Sequence, residues 1–368
     1  MRKETSATIE TCNKGRSMID FTGKILYVGI DVHLKLYQVC LYFEGLLLGS
    51  YSLEAEAQIL IDFLKSRFQG ATFKCVYESC SWGFNLQRQL MAADIECIVV
   101  HAGDIPGSDK EKKNKTDKVD AIRLARHHAA GLLRAIHVPD EKLEKHRSLV
   151  RYRKSLLGDL NCSKNRIKSL LKIYGISIPQ KMQTAYWSKN FIGWLEEQSI
   201  KDVDGKATLE SMIEQMKILR NLFLNVEKKV RDLMSTDQYA SKSASLKKIP
   251  GIGPITASML LVELGDITRF DKFDRLNSFV GFYPGSHSSG DRLIDTGITN
   301  RRHNQLRSIL IEAAWQAIRK DPAMLDAYAQ LTKRMKGNKA IIRIARKLLR
   351  RVRRIMLTGE DYQMGVVL

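Results

Sequence analysis

The chain of 368 residues carries 60 lysines and arginines against 40 aspartates and glutamates, a formal net charge of +20, with 44% hydrophobic and 27% charged residues. These proportions are those of a soluble globular protein with room for two or three domains. The positive balance points to a polyanionic partner, nucleic acid first.

The six cysteines (Cys12, Cys40, Cys75, Cys80, Cys97 and Cys162) include no Cys-x-x-Cys pair and form no zinc pattern with the eight histidines. They read as reduced, small core residues of a cytoplasmic protein. No apolar run reaches membrane-spanning length, since the longest candidate, Tyr37 to Leu48, is broken at Glu44-Gly45. Met1 to Gly23 is polar, lacks a signal-peptide core and reads as a disordered leader.

From Lys24 the pattern predicts strands at 25–30, 36–43 and 46–52, a helix at 54–68 closed by Gly70, and a strand at 73–77. A helix at 84–93 and a strand at 95–100 follow. A loop crowded with Lys110, Lys112, Lys113 and Lys115 then leads into a helix from Asp117 to His128. Three strands followed by alternating helices and strands predict an α/β sandwich.

The acids fall where open α/β sheets gather functional groups, at the carboxyl ends of strands. Asp31 ends the first strand, Glu78 ends the fourth, and Asp117 and Asp120 open the helix after the fifth. The Asp-x-x-Asp spacing aims two carboxylates at one side of a helix turn. Four carboxylates at one site repel each other unless cations neutralise them. Magnesium does so with oxygen ligands at about 2.0–2.1 Å. Two such ions about 3.5–4 Å apart clamp the attacking and leaving oxygens of a phosphoryl transfer. His127 and His128 read as packing or phosphate-facing groups.

A basic helix is predicted from Asp140 to about Tyr174, with Arg147, Arg151, Arg153, Lys154, Lys164, Arg166, Lys168 and Lys172 among leucines and isoleucines. A second runs from Leu209 to Leu233, and between them Ile176 to Gly205 is less regular and carries Trp187 and Trp194. The pair suggests an antiparallel hairpin or coiled coil, serving as a spacer, a dimerisation element or an RNA-holding face. Leu246 to Pro254 reads either as the phosphate-approaching turn of a helix-hairpin-helix module, or as a plain turn between packed helices. Lys333 to Arg354 is a basic helix suited to phosphates or to an acidic membrane surface, nucleic acid first.

The order of strands and acids resembles the ribonuclease-H-like fold in its RuvC-like form. The words "GIDVH", "VYESCSWG" and "KTDKVDA" resemble more closely the DEDD transposases of the Insertion Sequence 110 family, recombinases of bacterial mobile elements. Carried over by motif, the family's acids fall on Asp31, Glu78, Asp117 and Asp120. These would be catalytic ligands for Mg2+, with Mn2+ as an alternative. The segment from Arg269 to Trp315 resembles the family's C-terminal transposase domain. Its Ser-Gly signature after "G-aromatic-P" places the nucleophilic serine on Ser289, with Ser288 the neighbouring alternative, in a Gly/Ser-rich loop from Gly285 to Gly290. No histidine is obviously paired with this serine, so metal held by the carboxylates would have to activate it. One departure is local: Arg302-His303 stand where the family commonly has Gly-Asn.

The resemblance implies DNA as substrate, an element-encoded bridge RNA as guide, and a homo-oligomer (dimer or tetramer). It implies a leader (1–23), a RuvC-like DEDD catalytic domain (24–139), a helical or coiled-coil region (140–240) and a mostly helical C-terminal transposase domain with a basic tail helix (241–368). The alternatives are a RuvC-type junction nuclease that uses water, a non-catalytic nucleic-acid-binding protein and a metal-dependent RNA-processing enzyme.

Overall fold

Period-two burial builds the first sheet. In β1 (Ile25–Val32), Leu26, Val28 and Ile30 are fully buried; in β4 (Thr72–Glu78), Phe73, Cys75 and Tyr77 follow the same alternation. With β2 (Leu36–Phe43), β3 (Leu46–Glu54) and β5 (Glu96–Val100) they form a five-stranded mixed sheet in the order β3-β2-β1-β4-β5. The β1–β2 and β2–β3 pairs are antiparallel, while β1–β4 and β4–β5 are parallel.

One face of the sheet packs on α1 (Ala57–Arg67) and α2 (Asn85–Ala92) through Leu60, Leu64, Leu86 and Leu90. Each such side chain contributes roughly 1.5–3 kcal/mol by leaving water. The other face takes α3 (Asp117–Ala129), where Leu124 meets Val76 and Val100. Phe21, inside the segment read as a leader, sets its ring edge-on to Phe43 and Phe68 at 6.0 and 5.3 Å.

The computed structural model describes residues 20–106, 116–183, 187–198, 200, 203–289, 292–299 and 301–365, so the lysine-rich stretch 107–115 lies outside the described residues. The chain divides into two compact units, Met1–Val138 and Pro139–Leu368. It is therefore a mixed α/β protein whose helices dominate the second unit.

In that second unit Asp140 caps α4 (Glu141–Ile173), its carboxylate accepting from Leu143 N at 2.7 Å. The long partner helix α6 (Val203–Met234) begins six residues before the Leu209 start that periodicity suggests. Leu160, Ile167 and Leu171 of α4 meet Leu209, Ile213 and Met216 of α6 at one end of this hairpin. The short α5 (Lys189–Glu196) closes that end, with Phe191 flanked by Trp187 and Trp194 at 5.2 and 5.6 Å.

At the other end, Leu143, Val150, Val230 and Met234 enter a second core shared with the chain that follows. That chain comprises α7 (Ala240–Lys247), α8 (Pro254–Leu264), α9 (Phe273–Val280), β6 (Pro284–Ser289), β7 (Arg292–Ile298), α10 (Asn304–Lys320), α11 (Pro322–Thr332) and α12 (Gly337–Thr358). Packing is thus continuous across residue 240.

The basic helix predicted near the C-terminus is no appended arm. Ile341, Ile344, Leu348, Leu349 and Val352 of α12 are buried in the shared core. Arg351 turns inward to Asp321 at 3.0 Å. Among the described residues, no helix is long and apolar enough to cross a membrane.

Candidate active site

Asp31 and Glu78 share one face of the sheet because strand alternation puts them there. Tyr27 stacks edge-on against His128 of α3 at 5.4 Å, and Val76 packs on Leu124 of the same helix. Asp31 and Glu78 lie an even number of residues further along the same strands, so both project toward the α3 side. The register pairs Ile30 with Tyr77, which puts Asp31 and Glu78 next to each other at the ends of parallel neighbours.

Gly29 sets how closely α3 approaches. A methyl group there would collide with the carbonyl oxygen of Ala121 and stand 2.5 Å from the amide nitrogen of Ala125. Only a residue without Cβ lets the helix backbone press this tightly on β1. The small Ala121 and Ala125, both fully buried, complete the contact. The glycine of "GIDVH" and the alanine of "KTDKVDA" are therefore a packing pair that carries Asp117 to Asp31.

Thr116 fixes where α3 begins, its hydroxyl accepting from Val119 N at 3.3 Å. Asp117 and Asp120 occupy the first turn, at the positive end of the helix dipole, and Arg126, His127 and His128 the last. Asp117 Oδ2 lies 3.3 Å from His33 Nε2, which lies 3.1 Å from Asp31 Oδ2. The three ligand atoms stand within 4.8 Å of one another.

Asp120 faces Arg123 at 3.0 Å, both largely buried. Burial raises the Asp31 pKa; His33 opposes the rise, and the charges on Asp117 and Asp120 add to it. The structure therefore brings Asp31 and Asp117 together, with Asp120 within electrostatic reach. Glu78 shares their face and sheet edge but stands outside the 4.8 Å cluster among the described residues. His33 is the member that motif reasoning left without a role, although it stands in "GIDVH". His128 is half-buried against Tyr27, which is packing.

The serine segment is a strand. The sequence suggests a Gly/Ser-rich loop from Gly285 to Gly290, yet Gly285 to Ser289 belong to β6, which pairs antiparallel with β7, Ser289 facing Arg292, and Gly290 lies outside the described residues. A Gly/Ser-rich run has little strand preference of its own. Its partner supplies Leu293, Ile294, Thr296 and Ile298, and the pairing imposes the conformation. The side chains of Ser288 and Ser289 lie outside the described residues.

The hairpin's base is held firmly. Thr299 N donates to Tyr283 O at 3.0 Å, and Arg307 donates to Gly281 O and Thr299 O at 2.7 and 2.8 Å. Beneath it sits Glu263, 1% exposed, with Arg151 bidentate at 2.6 and 2.7 Å and His303 Nε2 donating at 3.1 Å. Burial would raise the Glu263 pKa, but the hydrogen bonds from His303 and Arg151 override it and bring it down to about 2.

His303 also caps α10, its Nδ1 accepting from Leu306 N at 3.3 Å. That is the job asparagine does well, and it accounts for the Arg302-His303 departure. Glu263 carried no motif and went unnoticed in the sequence.

The turn before α8 uses its two glycines differently. Gly251, at φ +89°, meets the carbonyl of Ala313 in α10, whereas Gly253 caps α8 with open space around its Cα. Gly251 thus serves packing, which favours the plain-turn reading there.

A two-part sheet-and-helix protein with acids at a shared sheet end is the class defined so far, and comparison gives it a narrower place. The DEDD transposase model of the Insertion Sequence 110 group matches residues 28–176, and the model of the IS116/IS110/IS902 transposase family matches residues 243–329. The protein y4rJ of Sinorhizobium fredii is 30% identical over 296 residues, 73% of this chain and 72% of the relative. The transposase for insertion sequence element IS1533 of Leptospira borgpetersenii is 27% identical over 307 residues, 79% of this chain and 85% of the relative. The transposase for IS1111A of Coxiella burnetii is 24% identical over 359 residues, 95% and 93%. The chain belongs to the Insertion Sequence 110 family of transposases.

Proposed function

We propose that this transposase cuts and rejoins the DNA of its own insertion element through a serine-linked intermediate. In this reading the first unit is a RuvC-like, ribonuclease-H-like domain whose Asp31, Glu78, Asp117 and Asp120 hold divalent metal, Mg2+ first. The sheet order β3-β2-β1-β4-β5, with α3 laid over β1, supports it. The observation that carries it is the Gly29–Ala121 contact, which delivers Asp117 to Asp31 across 86 residues of chain.

The donor set fits a hard divalent cation. It is rich in carboxylate oxygen, lies within a few ångströms, and includes an Asp31 that burial and neighbouring charge make costly to ionise without a cation. Bound there, the ion would supply Lewis-acid stabilisation of charge developing on phosphoryl oxygens.

Ser289 Oγ would attack a backbone phosphorus. The P–O bond to the serine forms as the bond to the departing DNA oxygen breaks, and the hydroxyl proton passes by way of water to that oxygen, which leaves as a DNA hydroxyl. One phosphodiester replaces another, so bond energy is retained for rejoining. Thr116 and the α3 dipole hold the acids in place, and Arg307 braces the base of the serine hairpin.

Target choice would be delegated to a bridge RNA encoded by the element, pairing with target and donor DNA. The excess positive charge of the chain suits both polyanions. A homo-oligomer assembled with help from the α4–α6 hairpin is part of the proposal.

The test uses labelled element-junction DNA, Mg2+ and RNA transcribed from the element's flanks, with wild type, Ser289→Ala and Asp117→Ala compared. A protein–DNA adduct that survives denaturation and is lost in both variants is the expected result. Cleavage without an adduct, indifferent to Ser289, replaces this reading with a hydrolytic nuclease.

A further inference from the structure

The backbone that carries His33 is fixed. Its backbone N–H donates to Leu36 O at 3.2 Å, closing the short link between β1 and β2. From that link its Nε2 reaches Asp31 Oδ2 at 3.1 Å and Asp117 Oδ2 at 3.3 Å. A ring nitrogen has one N–H or one lone pair, so a single directed hydrogen bond accounts for only one of these contacts. Both acids converge on it nonetheless.

The separations have another meaning. Donor atoms about 2.1 Å from a common octahedral ion stand about 3.0 Å apart along each edge of the coordination shell. The two nitrogen–oxygen distances approach such edges. Asp31 and His33 sit on the β1 side and Asp117 on α3, so one ion would tie sheet to helix where Gly29 brings them together.

We propose that His33 Nε2 is a third protein ligand, beside Asp31 and Asp117, to one divalent ion of the carboxylate site. The nitrogen donor would raise the site's preference for first-row transition ions over Mg2+, because imidazole binds the former far better than the latter. This rests on the reading that the carboxylates bind metal, and it adds a ligand outside the four acids.

The experiment uses the full chain without DNA. Co2+ and Mg2+ are titrated calorimetrically into wild type, His33→Gln and Asp31→Asn, and Mn2+ complexes are examined by pulsed electron paramagnetic resonance for nitrogen hyperfine coupling. Wild type is expected to show nitrogen coupling that His33→Gln lacks. The Co2+ affinity of His33→Gln is expected to fall by about tenfold or more, and its Mg2+ affinity by less than about threefold. Asp31→Asn is expected to lose both ions.

Ion binding that depends on Asp31 but shows no nitrogen coupling in wild type overturns the His33 assignment and leaves the carboxylate site standing. Coupling that persists in His33→Gln overturns it too. If wild type binds neither ion, the metal reading of the carboxylates falls together with the His33 proposal.

Discussion

The molecule contains two acidic centres built from the same chemistry to opposite ends. Glu263 is 1% exposed and is fully partnered, with Arg151 bidentate, His303 on the second oxygen, and Arg147 held to the backbone of Val262 and Glu263. Asp31 and Asp117, 23% and 65% exposed, face each other across one shared imidazole. Glu263, with both oxygens taken by Arg151 and His303, is a structural rivet and has nothing left for a ligand. Asp31 and Asp117 meet an imidazole where Glu263 meets a guanidinium. That difference separates a structural acid from one proposed to bind metal better than burial alone does.

The sharpest way to break the comparison is Glu263→Gln. Removing one partner of a buried ion pair leaves the other uncompensated and costs about 3–5 kcal/mol. A large drop in thermal midpoint is expected, whereas Asp117→Asn should leave stability nearly unchanged while abolishing strand cleavage. The pH dependence carries the same signature. Glu263 has its folded-state pKa lowered from 4.5 to about 2, so its contribution is complete above pH 4.5 and is lost as pH falls toward 2. Wild type should lose stability in that window, and Glu263→Gln should lose much less there. Equal midpoints for Glu263→Gln and wild type at pH 7 would mean the network is ornamental.

Next in size is Gly29→Ala. Overpacking of this kind costs about 1–3 kcal/mol, and the relief available is to lift α3 from β1. Lifting α3 separates Asp117 from Asp31, so metal affinity should fall further than stability does. Calorimetric metal titration and thermal unfolding of the same sample measure the two losses side by side. A variant that binds metal like wild type would show that the close approach does not position the acids.

Much of this first centre was readable in the residues. The strands and helices of the first unit lie within a few residues of where alternation and periodicity put them. Asp31, Glu78 and the Asp117–Asp120 pair carry recognisable words. What escaped notice depends on tertiary partners. Gly29 looked like part of a strand motif, and only the helix pressed against it shows what its missing side chain is for. Glu263 sits in an apolar helix, Pro254–Leu264, and its partners Arg147, Arg151 and His303 come from α4 and from the residue before α10. Arg147 and Arg151 belong to a basic helix that reads equally as spacer, dimerisation element or RNA-holding face, yet both bond Glu263 or the adjoining backbone. Ser289 reads as a loop residue because the strand order around it comes from β7. The distant partners of Gly29 and Glu263 leave no local trace.

The smallest effect expected is also the most diagnostic, because its sign reverses. Burial raises the Asp31 pKa above 3.8, His33 offsets part of the rise, and Asp117 and Asp120 add to it. For a carboxylate with a raised folded-state pKa, stability is greatest below the unfolded value and declines as pH climbs through the folded one. At neutral pH the ionised Asp31 is therefore a cost to the metal-free fold. Asp31→Asn should raise the thermal midpoint slightly in chelator, by an amount equivalent to about 0.5 kcal/mol or less. Addition of Mg2+ should invert the order, since a ligand at 100 times its dissociation constant stabilises the binding-competent chain by about 2.7 kcal/mol and the variant has lost that site. If Asp31→Asn is the less stable protein even in chelator, Asp31 is a structural acid like Glu263, and the contrast between the two centres disappears.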